Sequence, residues 1–466
     1  MLPALAATLA IVALDHTPLR SAPRAQATEL TTLSQGEVLE VRDERAGYLK
    51  VYSYHRERGG YVRSERVRTL GLSESDAPGL LAVLRFLRDS AGSEALGISY
   101  GAGYLKAAPG GTVTGEPLDA IGRMAERLAD AASASGRQRA QAAAHLEVAG
   151  QFGIHVRSFE REGRLQYCYD GELFREVLAI PVATVEERAR AVLALTRPDC
   201  VDPTLGIMLR ALQDAERSVL LDSIEERSVS AMLRSRLHAR RAAVWAALAY
   251  EHARRGEPAM TAAQRAIAEL LAVHPQELGD EHRAEYLDAV LRVGAIRWAA
   301  VTSVAGAGPL VLTTSTGAPG ETCVMLSELR RPSVALVRRC TYGIVWSASA
   351  QTVARGRAFV LAVQPLESWR ELWIFRETGE GWTVDVLPPG AGDAAEGYVE
   401  FAGFAAGSSR VLIAREVREH GRFARRFEEL RLEDLLPVKQ ASSPELLADF
   451  GRWQDVGWRR DTLSLH

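Results

Sequence analysis

Imidazole and carboxylate side chains crowd together at one place in the 466-residue sequence, between residues 274 and 285. The group consists of His274, Glu277, Asp280, Glu281, His282 and Glu285. His282 and Glu285 would share one face of a helix, because they are three residues apart. Such a group could ligate a metal ion. A solvated connection between two helices explains the same residues, and we favour that interpretation.

Motifs that would identify an enzyme are missing from the sequence. It contains no HExxH zinc motif, no GxSxG nucleophile turn and no GxxxxGK[ST] phosphate loop. Gly101-Ala102-Gly103 is followed by Lys106 where a dinucleotide site would need a third glycine, so we interpret this segment as a loop. We therefore expect no catalytic residues, no resident metal ion and no cofactor.

The four cysteines can form two disulfides in three different pairings. They are Cys168, Cys200, Cys323 and Cys340. Pairing within a domain favours Cys168 with Cys200 and Cys323 with Cys340, and closing each loop would stabilise the fold by roughly 3 kcal/mol. The alternative is four buried thiols in a reducing compartment. The cysteine and histidine spacings do not suggest zinc.

Composition is that of a soluble globular protein, with 47% hydrophobic and 25% charged residues, and the length predicts about two to four domains. A formal net charge of −3 argues against a nucleic-acid-binding surface. Arginines cluster locally near Glu225, Glu226 and Glu251, which predicts a solvated, salt-bridged helix face. The cluster contains Arg234, Arg236, Arg240, Arg241, Arg254 and Arg255.

The apolar run from Leu2 to Leu14 is shorter than the roughly 20 residues that a membrane-spanning helix needs. A complete signal peptide would begin with positive charge, and this run has none in front of it. We interpret Ala4-Leu5-Ala6 as the end of a signal peptide whose beginning is missing, with the mature chain starting near Ala7. The protein is therefore expected to be periplasmic or secreted, with no membrane span.

Residues 7 to 70 contain short runs of strand character separated by turn residues, which predicts an all-β domain. Strands are expected at 37–41, 48–52 and 61–63, with a turn-rich loop at Thr17 to Pro23. The order LRSAP, LSQGEVLEV, GYLKV and GGYV resembles the bacterial Src-homology-3 (SH3b) domain along the whole segment.

The SH3b resemblance implies a small β-barrel that contacts peptidoglycan peptides or another envelope protein. Arg20, Tyr48, Tyr52 and Tyr61 are the candidate residues of its binding groove. Aromatic rings supply contact area, and their hydroxyl groups orient a ligand. Tyr48 and Tyr61 stand where the family usually has tryptophan, so the groove is expected to differ. The same tyrosines could instead be core or ordinary surface residues.

Residues 73 to 297 change to a helical period, which predicts a mainly α-helical domain. Asp76 can cap its first helix, and the glycine-rich segment Gly92 to Gly115 is expected to be a loop. Further helices are expected near 117–133 and 137–150. A β-hairpin is predicted at 154–158 and 164–168, because both segments alternate on either side of Arg161-Glu162-Gly163.

Four or more amphipathic helices are predicted within residues 202–295. Several of their residues resemble one tetratricopeptide unit: Trp245, Leu248, Ala249, Ala263, Ile267 and Pro275. An ordinary helix hairpin explains the same residues, and we favour it because one such unit cannot bury its faces without neighbours.

Strands return in residues 298 to 440, which predicts an antiparallel β domain. Residues 356–363 are similar to 408–415, and this repeat resembles β-propeller blades. The repeat is compatible with an incomplete propeller or an antiparallel meander, and we favour the meander. Residues 441–466 are expected to form a tail that Trp453 and Trp458 dock onto the domain.

Two functions agree with this organisation. The favoured one is a non-catalytic envelope protein in which the SH3b-like module binds and the other domains form a scaffold. The alternative is a periplasmic enzyme whose site is assembled from distant residues between the helical and β domains. A flat aromatic groove would favour binding, and a compact pocket with convergent polar groups would favour catalysis.

Overall fold

A computed structural model describes residues 8–161, 163–302, 309–353, 357–390, 396–405, 409–419, 421–455 and Trp458. The chain divides into two compact units. The first contains residues 8–206 and Ser223–Ser230, and the second contains Ile207–Asp222 and the chain from Ala231 onward. The predicted signal-peptide end at Ala4-Leu5-Ala6 and the mature start near Ala7 lie outside the described residues.

The first unit begins with a seven-stranded antiparallel sheet in the order β3-β2-β6-β5-β4-β1-β7. Its strands are β1 (Thr8–Val12), β2 (Thr17–Arg20), β3 (Glu29–Leu33), β4 (Val38–Arg45), β5 (Tyr48–Ser53), β6 (Arg58–Arg63) and β7 (Val67–Leu70). The prediction of a loop at Thr17 to Pro23 is wrong for its first half. Thr17–Arg20 pairs with β3 and buries Leu19, so tertiary pairing overrides the local turn signal.

A single apolar core lies on one side of this sheet. Residues from all seven strands contribute to it: Ala10, Val12, Leu19, Leu33, Leu39, Leu49, Val51, Val62 and Val67. The sheet must curve strongly, because a flat sheet of this width could not bring its outermost strands to the same cluster. The strand order is open, and no pairing between β3 and β7 is present among the described residues.

Six helices and a hairpin complete the described fold of the first unit. The helices are α1 (Ala77–Leu87), α2 (Glu94–Ala107), α3 (Gly115–Ser133), α4 (Arg137–Gly150), α5 (Glu172–Ala179) and α6 (Val185–Leu195). The predicted hairpin is present as β8 (Val156–Arg161) and β9 (Arg164–Tyr169). Asp76 precedes α1 but makes no side-chain cap to it; its carboxylate belongs to a capping box with Ser73.

Residues 108–114 lie in a loop, as the glycine-rich sequence predicted for Gly92 to Gly115, but the prediction is wrong for Glu94–Ala107, which form helix α2. Its glycines are contact points between helices. A Cβ atom at Gly97 would collide with Met124, and one at Gly101 would collide with Ile121, both on α3. Packing against α3 therefore offsets the low helix propensity of glycine. Gly101-Ala102-Gly103 lies inside this helix as well.

The curved sheet shares a second apolar cluster with the helices beside it. Ile11 and Leu70 from the sheet pack with Leu80 and Tyr104 from α1 and α2. The turn before β4 also meets α2, where the Ser99 hydroxyl donates to the Gly36 carbonyl at 2.7 Å. The sheet is therefore joined to α1 and α2 by a common core.

The second unit begins with four helices: α7 (Ile207–Asp222), α8 (Ala231–Arg254), α9 (Met260–Leu271) and α10 (Asp280–Ile296). The helical stretch expected as one domain over 73–297 thus contributes to both units, because its two halves pack around different cores. The prediction of a solvated arginine face is wrong for Arg240 and Arg241, which are buried. The tetratricopeptide resemblance is not confirmed.

The rest of the second unit is mostly β structure, followed by the short helix α11 (Ala448–Trp453). A three-stranded antiparallel sheet consists of β10 (Leu310–Thr316), β11 (Thr322–Glu328) and β12 (Arg331–Thr341). An eight-stranded sheet consists of β13 (Ile344–Val353), β14 (Ala358–Leu366), β15 (Trp369–Thr378), β16 (Gly381–Leu387), β17 (Glu396–Phe404), β18 (Arg410–Glu419), β19 (Arg422–Arg431) and β20 (Pro437–Ala441).

The eight-stranded sheet consists of two antiparallel runs, β13 to β16 and β17 to β20, joined by a short parallel pairing of β15 with β17. The repeated segments of the sequence correspond to β14 and β18, at equivalent places in the two runs. The resemblance to propeller blades is not confirmed. In the tail, Trp458 is buried against Phe450, whereas Trp453 is 40% exposed.

Candidate functional site

The four predicted groove residues lie on the outer face of the curved sheet, away from its core. Along β5 the side chains alternate, so Leu49 and Val51 enter the core while Tyr48 and Tyr52 point to the other face. Across the sheet, Lys50 is the register partner of Tyr61, and Tyr61 is the partner of Arg20. The strands β2, β6 and β5 therefore bring the predicted residues to one surface.

Tyr48 is only 8% exposed despite its outward direction. Its register partner Arg63 covers it, with the guanidinium carbon 5.9 Å from the ring centroid. A hydrogen bond with Tyr48, followed by one with Glu65, raises the pKa of Arg63. Tyr48 thus supports the outer face from below and offers little surface to a ligand.

Arg20 is already engaged within the sheet. Its Nη1 donates to the Ala27 carbonyl at 2.8 Å, which fastens the segment between β2 and β3. Arg20 and its neighbour Tyr61 are both half-buried. This pair borders the outer face, and the main role of Arg20 there is to hold the chain that follows β2.

The most exposed aromatic group of this face surrounds Tyr52. The ring of Tyr54 meets that of Tyr52 edge-on at a centroid distance of 5.1 Å, and the Arg42 guanidinium lies 4.5 Å from the Tyr52 centroid. Glu40 accepts hydrogen bonds from Arg42 at 2.9 Å and from the Tyr54 hydroxyl at 3.0 Å. These four side chains, Glu40, Arg42, Tyr52 and Tyr54, are called the Tyr52 cluster below.

Electrostatics fix the charges of the Tyr52 cluster. Hydrogen bonds from Arg42 and then from Tyr54 lower the pKa of Glu40, and the hydrogen bond to Glu40 raises the pKa of Arg42. The cluster therefore offers one carboxylate, one guanidinium and a Tyr54 ring that is 68% exposed. It is equipped to bind through aromatic contact and fixed charges.

Sequence reasoning found Tyr52 but missed Glu40, Arg42 and Tyr54. One signal was available: Tyr48, Lys50, Tyr52 and Tyr54 alternate, so all four are expected on one face. Tyr54 lies one residue beyond the end of β5, so the strand predicted at 48–52 does not include it. The position of Arg42 depends on the irregular pairing of β4 with β5 after Val41, which no local pattern shows.

An aspartate–histidine pair connects the curved sheet to α4. The Nε2 atom of His145 lies 2.8 Å from both carboxylate oxygens of Asp15. The carboxylate also accepts hydrogen bonds from the backbone N–H of Gln35 at 2.8 Å and from the Gln141 amide at 2.6 Å. With this many donors on one carboxylate, the arrangement fits a structural joint between the sheet and the helix.

The histidine-rich segment of the sequence is occupied by internal contacts. Glu285 pairs with Arg240, and Glu277 accepts a hydrogen bond from the Ser235 hydroxyl at 2.9 Å. His282 lies 3.7 Å from Glu281. Within the described residues, the only group with metal-ligand spacing is Glu321 with Cys323 and Cys340, and those two cysteines are bonded to each other. A disulfide offers no thiolate to a metal.

Both predicted disulfides are confirmed. Cys168 pairs with Cys200 in the first unit, and Cys323 pairs with Cys340 in the second. Cys323 and Cys340 are direct register partners on β11 and β12, so strand pairing itself brings them together. The other bond ties β9 to the turn Pro198–Cys200 after α6. The described residues include no free cysteine.

Among the described helices, none combines the length and the apolar character needed to cross a membrane. No curated protein and no solved structure matches the chain. One part of the chain, from the turn after β1 into β7 of the curved sheet, does match a protein family. Residues 15–68 match the family described as the bacterial SH3 domain, which supports the SH3b resemblance for this segment.

Proposed function

We propose that the protein is a non-catalytic envelope protein whose SH3b-like module, residues 7–70, binds peptidoglycan or an envelope protein. The family match to residues 15–68 supports a binding module. The observation that carries the proposal is the Tyr52 cluster, an exposed aromatic and charged surface on the outer face of the sheet. The module is proposed to be a barrel, and the helical and β regions are proposed to form a scaffold.

Export to the periplasm or the exterior is part of this proposal. Two intrachain disulfides support it, because such bonds persist mainly in oxidising compartments. A bacterial SH3 domain is consistent with the same location.

Within the binding surface, we assign the main contact to Tyr52 and Tyr54, with Tyr48, Tyr61 and Arg20 as supporting residues. Tyr54 combines a largely exposed ring with a hydroxyl already fixed by Glu40, so its side chain loses little conformational entropy when a ligand covers it. Arg42 stacks on Tyr52 and presents a cation at the edge of the cluster. A peptide with a free carboxylate and a flat apolar side is the ligand chemistry that suits these groups.

Tyr54→Ala tests the proposal in the full-length protein. The change should weaken retention on purified sacculi or on immobilised envelope proteins by roughly tenfold or more, since truncated hot-spot aromatics cost about 1.4–2 kcal/mol. Co-sedimentation and pull-down measure the two partner classes separately. Full-length protein is needed because the sheet shares a core with α1 and α2.

Tyr342→Ala is the matched control. Tyr342 is 61% exposed and lies in the second unit, so its truncation removes a similar ring from a different surface. We expect this variant to bind like the parent protein. Equal retention of parent and Tyr54→Ala on both partner classes would show that the Tyr52 cluster is not the binding surface.

A further inference from the structure

The two disulfides of the chain have different polar surroundings. In the β10–β12 sheet, Nη2 of Arg338 lies 3.0 Å from Sγ of Cys323. A carboxylate oxygen of Glu321 lies within 4.8 Å of both sulfur atoms. Cys323 is fully buried, whereas Cys340 is only partly buried. Cys168 and Cys200 show the same combination of one buried and one partly buried cysteine, so the feature that distinguishes the Cys323–Cys340 bond is the cation beside its buried sulfur.

The Cys168–Cys200 bond has no such cationic contact among the described hydrogen bonds. The Cys168 sulfur lies 3.9 Å from the Asp199 carbonyl oxygen. Arg161, which reaches the same turn, donates to the carbonyls of Pro198 and Asp199. Arg197 pairs with Asp130 and Asp199. The chain thus contains its own reference disulfide.

Thiol–disulfide exchange responds to such differences. A thiolate attacks one sulfur along the S–S axis, and the other sulfur leaves as a thiolate. A nearby guanidinium stabilises the departing anion and attracts the attacking one, and a nearby carboxylate opposes both. Access matters as well, because the attacking thiolate must reach the sulfur that it bonds to.

We propose that the Cys323–Cys340 disulfide is a thiol-exchange site, with Cys340 as the sulfur attacked and Cys323 as the leaving thiolate beside Arg338. An external dithiol supplies the electrons. Its first thiolate bonds to Cys340 while the Cys323–Cys340 bond breaks and Cys323 leaves with the electron pair. Its second thiolate then bonds to the first reagent sulfur and releases Cys340, so the reagent leaves as a disulfide and both cysteines are reduced.

Exchange at this bond does not require the sheet to separate. The strands β11 and β12 remain paired on both sides of the cysteines, from Thr322 with Thr341 to Leu326 with Val337. Reduction therefore leaves Cys340 as a partly exposed thiol on an intact strand, where it can form a mixed disulfide with a partner thiol.

Limited reduction of the folded, full-length protein tests the proposal. The protein is treated with dithiothreitol, samples are quenched at intervals with iodoacetamide, and alkylated peptides are quantified by mass spectrometry. We expect labelling of Cys323 and Cys340 before Cys168 and Cys200. Earlier or equal reduction of the Cys168–Cys200 bond would overturn the proposal.

Two charge variants should shift the reduction rate in opposite directions. Arg338→Gln should slow reduction of Cys323–Cys340 by roughly three- to tenfold, because the leaving thiolate loses its neighbouring cation, and Glu321→Gln should accelerate it by a similar factor, because the opposing carboxylate is removed. Arg331→Gln removes the same charge from an exposed position farther along β12 and should leave the rate unchanged. Absence of opposite shifts would contradict the assigned role of the charges.

The direction of attack has its own test. With excess reduced glutathione as a monothiol, the trapped mixed disulfide should map to Cys340, leaving Cys323 to be alkylated. Glutathione found on Cys323 would reverse the assignment and overturn it. Circular dichroism of each variant, compared with the parent protein, ensures that rate changes do not come from unfolding.

Discussion

Both units place helices against a mainly antiparallel sheet, but they hold the two layers together differently. In the first unit the contact is apolar, with Ile11 and Leu70 of the sheet packed against Leu80 and Tyr104 of the helices. Asp15 and His145 also meet between the sheet and α4, where His145 is buried and the Asp15 side chain is 20% exposed. The apolar contact gains its stability from the apolar surface area that it removes from water.

In the second unit a buried ion network joins α10 to the sheet. Glu400 of β17 accepts a hydrogen bond from Nε of Arg297 at 2.6 Å and pairs as well with Arg370 of β15. Nη1 of Arg370 also donates to the Gly294 carbonyl of α10 at 2.8 Å. Burial opposes ionisation of Glu400, but the charges of Arg297 and Arg370 outweigh it and lower the pKa of this carboxyl.

The difference shows two ways to position a helix. Apolar contact is not directional, so the first unit relies on side-chain shape to set the position of α1 and α2. The ion network is directional, because two guanidinium groups must reach one carboxylate and one helix-end carbonyl. It therefore specifies where α10 meets β15 and β17, at the cost of burying charges that become destabilising when one partner is lost.

Glu400→Leu should have the largest effect on stability. It leaves Arg297 and Arg370 buried without their common anion, which typically costs about 3–5 kcal/mol. Urea unfolding followed by circular dichroism measures the loss. Glu377→Gln, at an exposed position near the end of β15, is the control and should change little. A near-neutral Glu400→Leu would mean that the network contributes little to the second unit.

Ile11→Ala should have the next largest effect, through the first unit. Ile11 is fully buried between β1 and the helices, and its truncation leaves a cavity that costs about 2–4 kcal/mol. Val182→Ala is the control, because Val182 is 72% exposed in the same unit. Thermal unfolding distinguishes them; equal melting temperatures of the two variants would contradict the apolar joint.

Glu416→Gln should have a smaller effect that depends on pH. Burial raises the pKa of Glu416 to about 7, partly offset by Arg425 at 2.5 Å, and Glu416 is the register partner of Tyr398 beside α10. As pH rises, the folded state keeps this proton up to a higher pH than the unfolded chain does. The parent protein should therefore lose about 1–3 kcal/mol of stability as pH rises from about 4.5 to about 7.

The variant should not show this loss, because glutamine does not titrate. Urea unfolding of parent and variant between pH 5 and pH 8 makes the comparison, and parallel pH profiles would refute it. For Asp15 in the first unit, the change of stability with pH has the opposite sign, because its pKa is lowered in the folded state. Burial raises the pKa of Asp15, but hydrogen bonds from Gln35, His145 and Gln141 together lower it by more than burial raises it. The stability that Asp15 contributes is therefore lost only as pH falls below the ordinary pKa of 3.8.

Sequence reasoning located strands and helices where local periodicity was strong. The hairpin at β8 and β9, the helices α3 and α4, and the outward direction of Tyr48 and Tyr52 all follow from alternation or helical spacing. Arg20 and Tyr61 were also brought to the predicted face. Which of these residues is open to a ligand could not be predicted. Arg63 on β6 covers the Tyr48 ring, and Arg20 donates a hydrogen bond to the Ala27 carbonyl in the loop after β2, and no local pattern shows either contact.

Local sequence by itself determined the all-β start, the helical middle, the antiparallel β region and the two disulfide pairs, because each depends on patterns or partners close in the chain. Tertiary structure alone decided that Gly97 and Gly101 lie in a helix, that Arg370 is buried, and that Tyr54 joins Tyr52. Each of these depends on a partner brought near by folding. A glycine gains from the close approach of another helix, and the buried Arg370 needs a carboxylate, which Glu400 supplies from another strand.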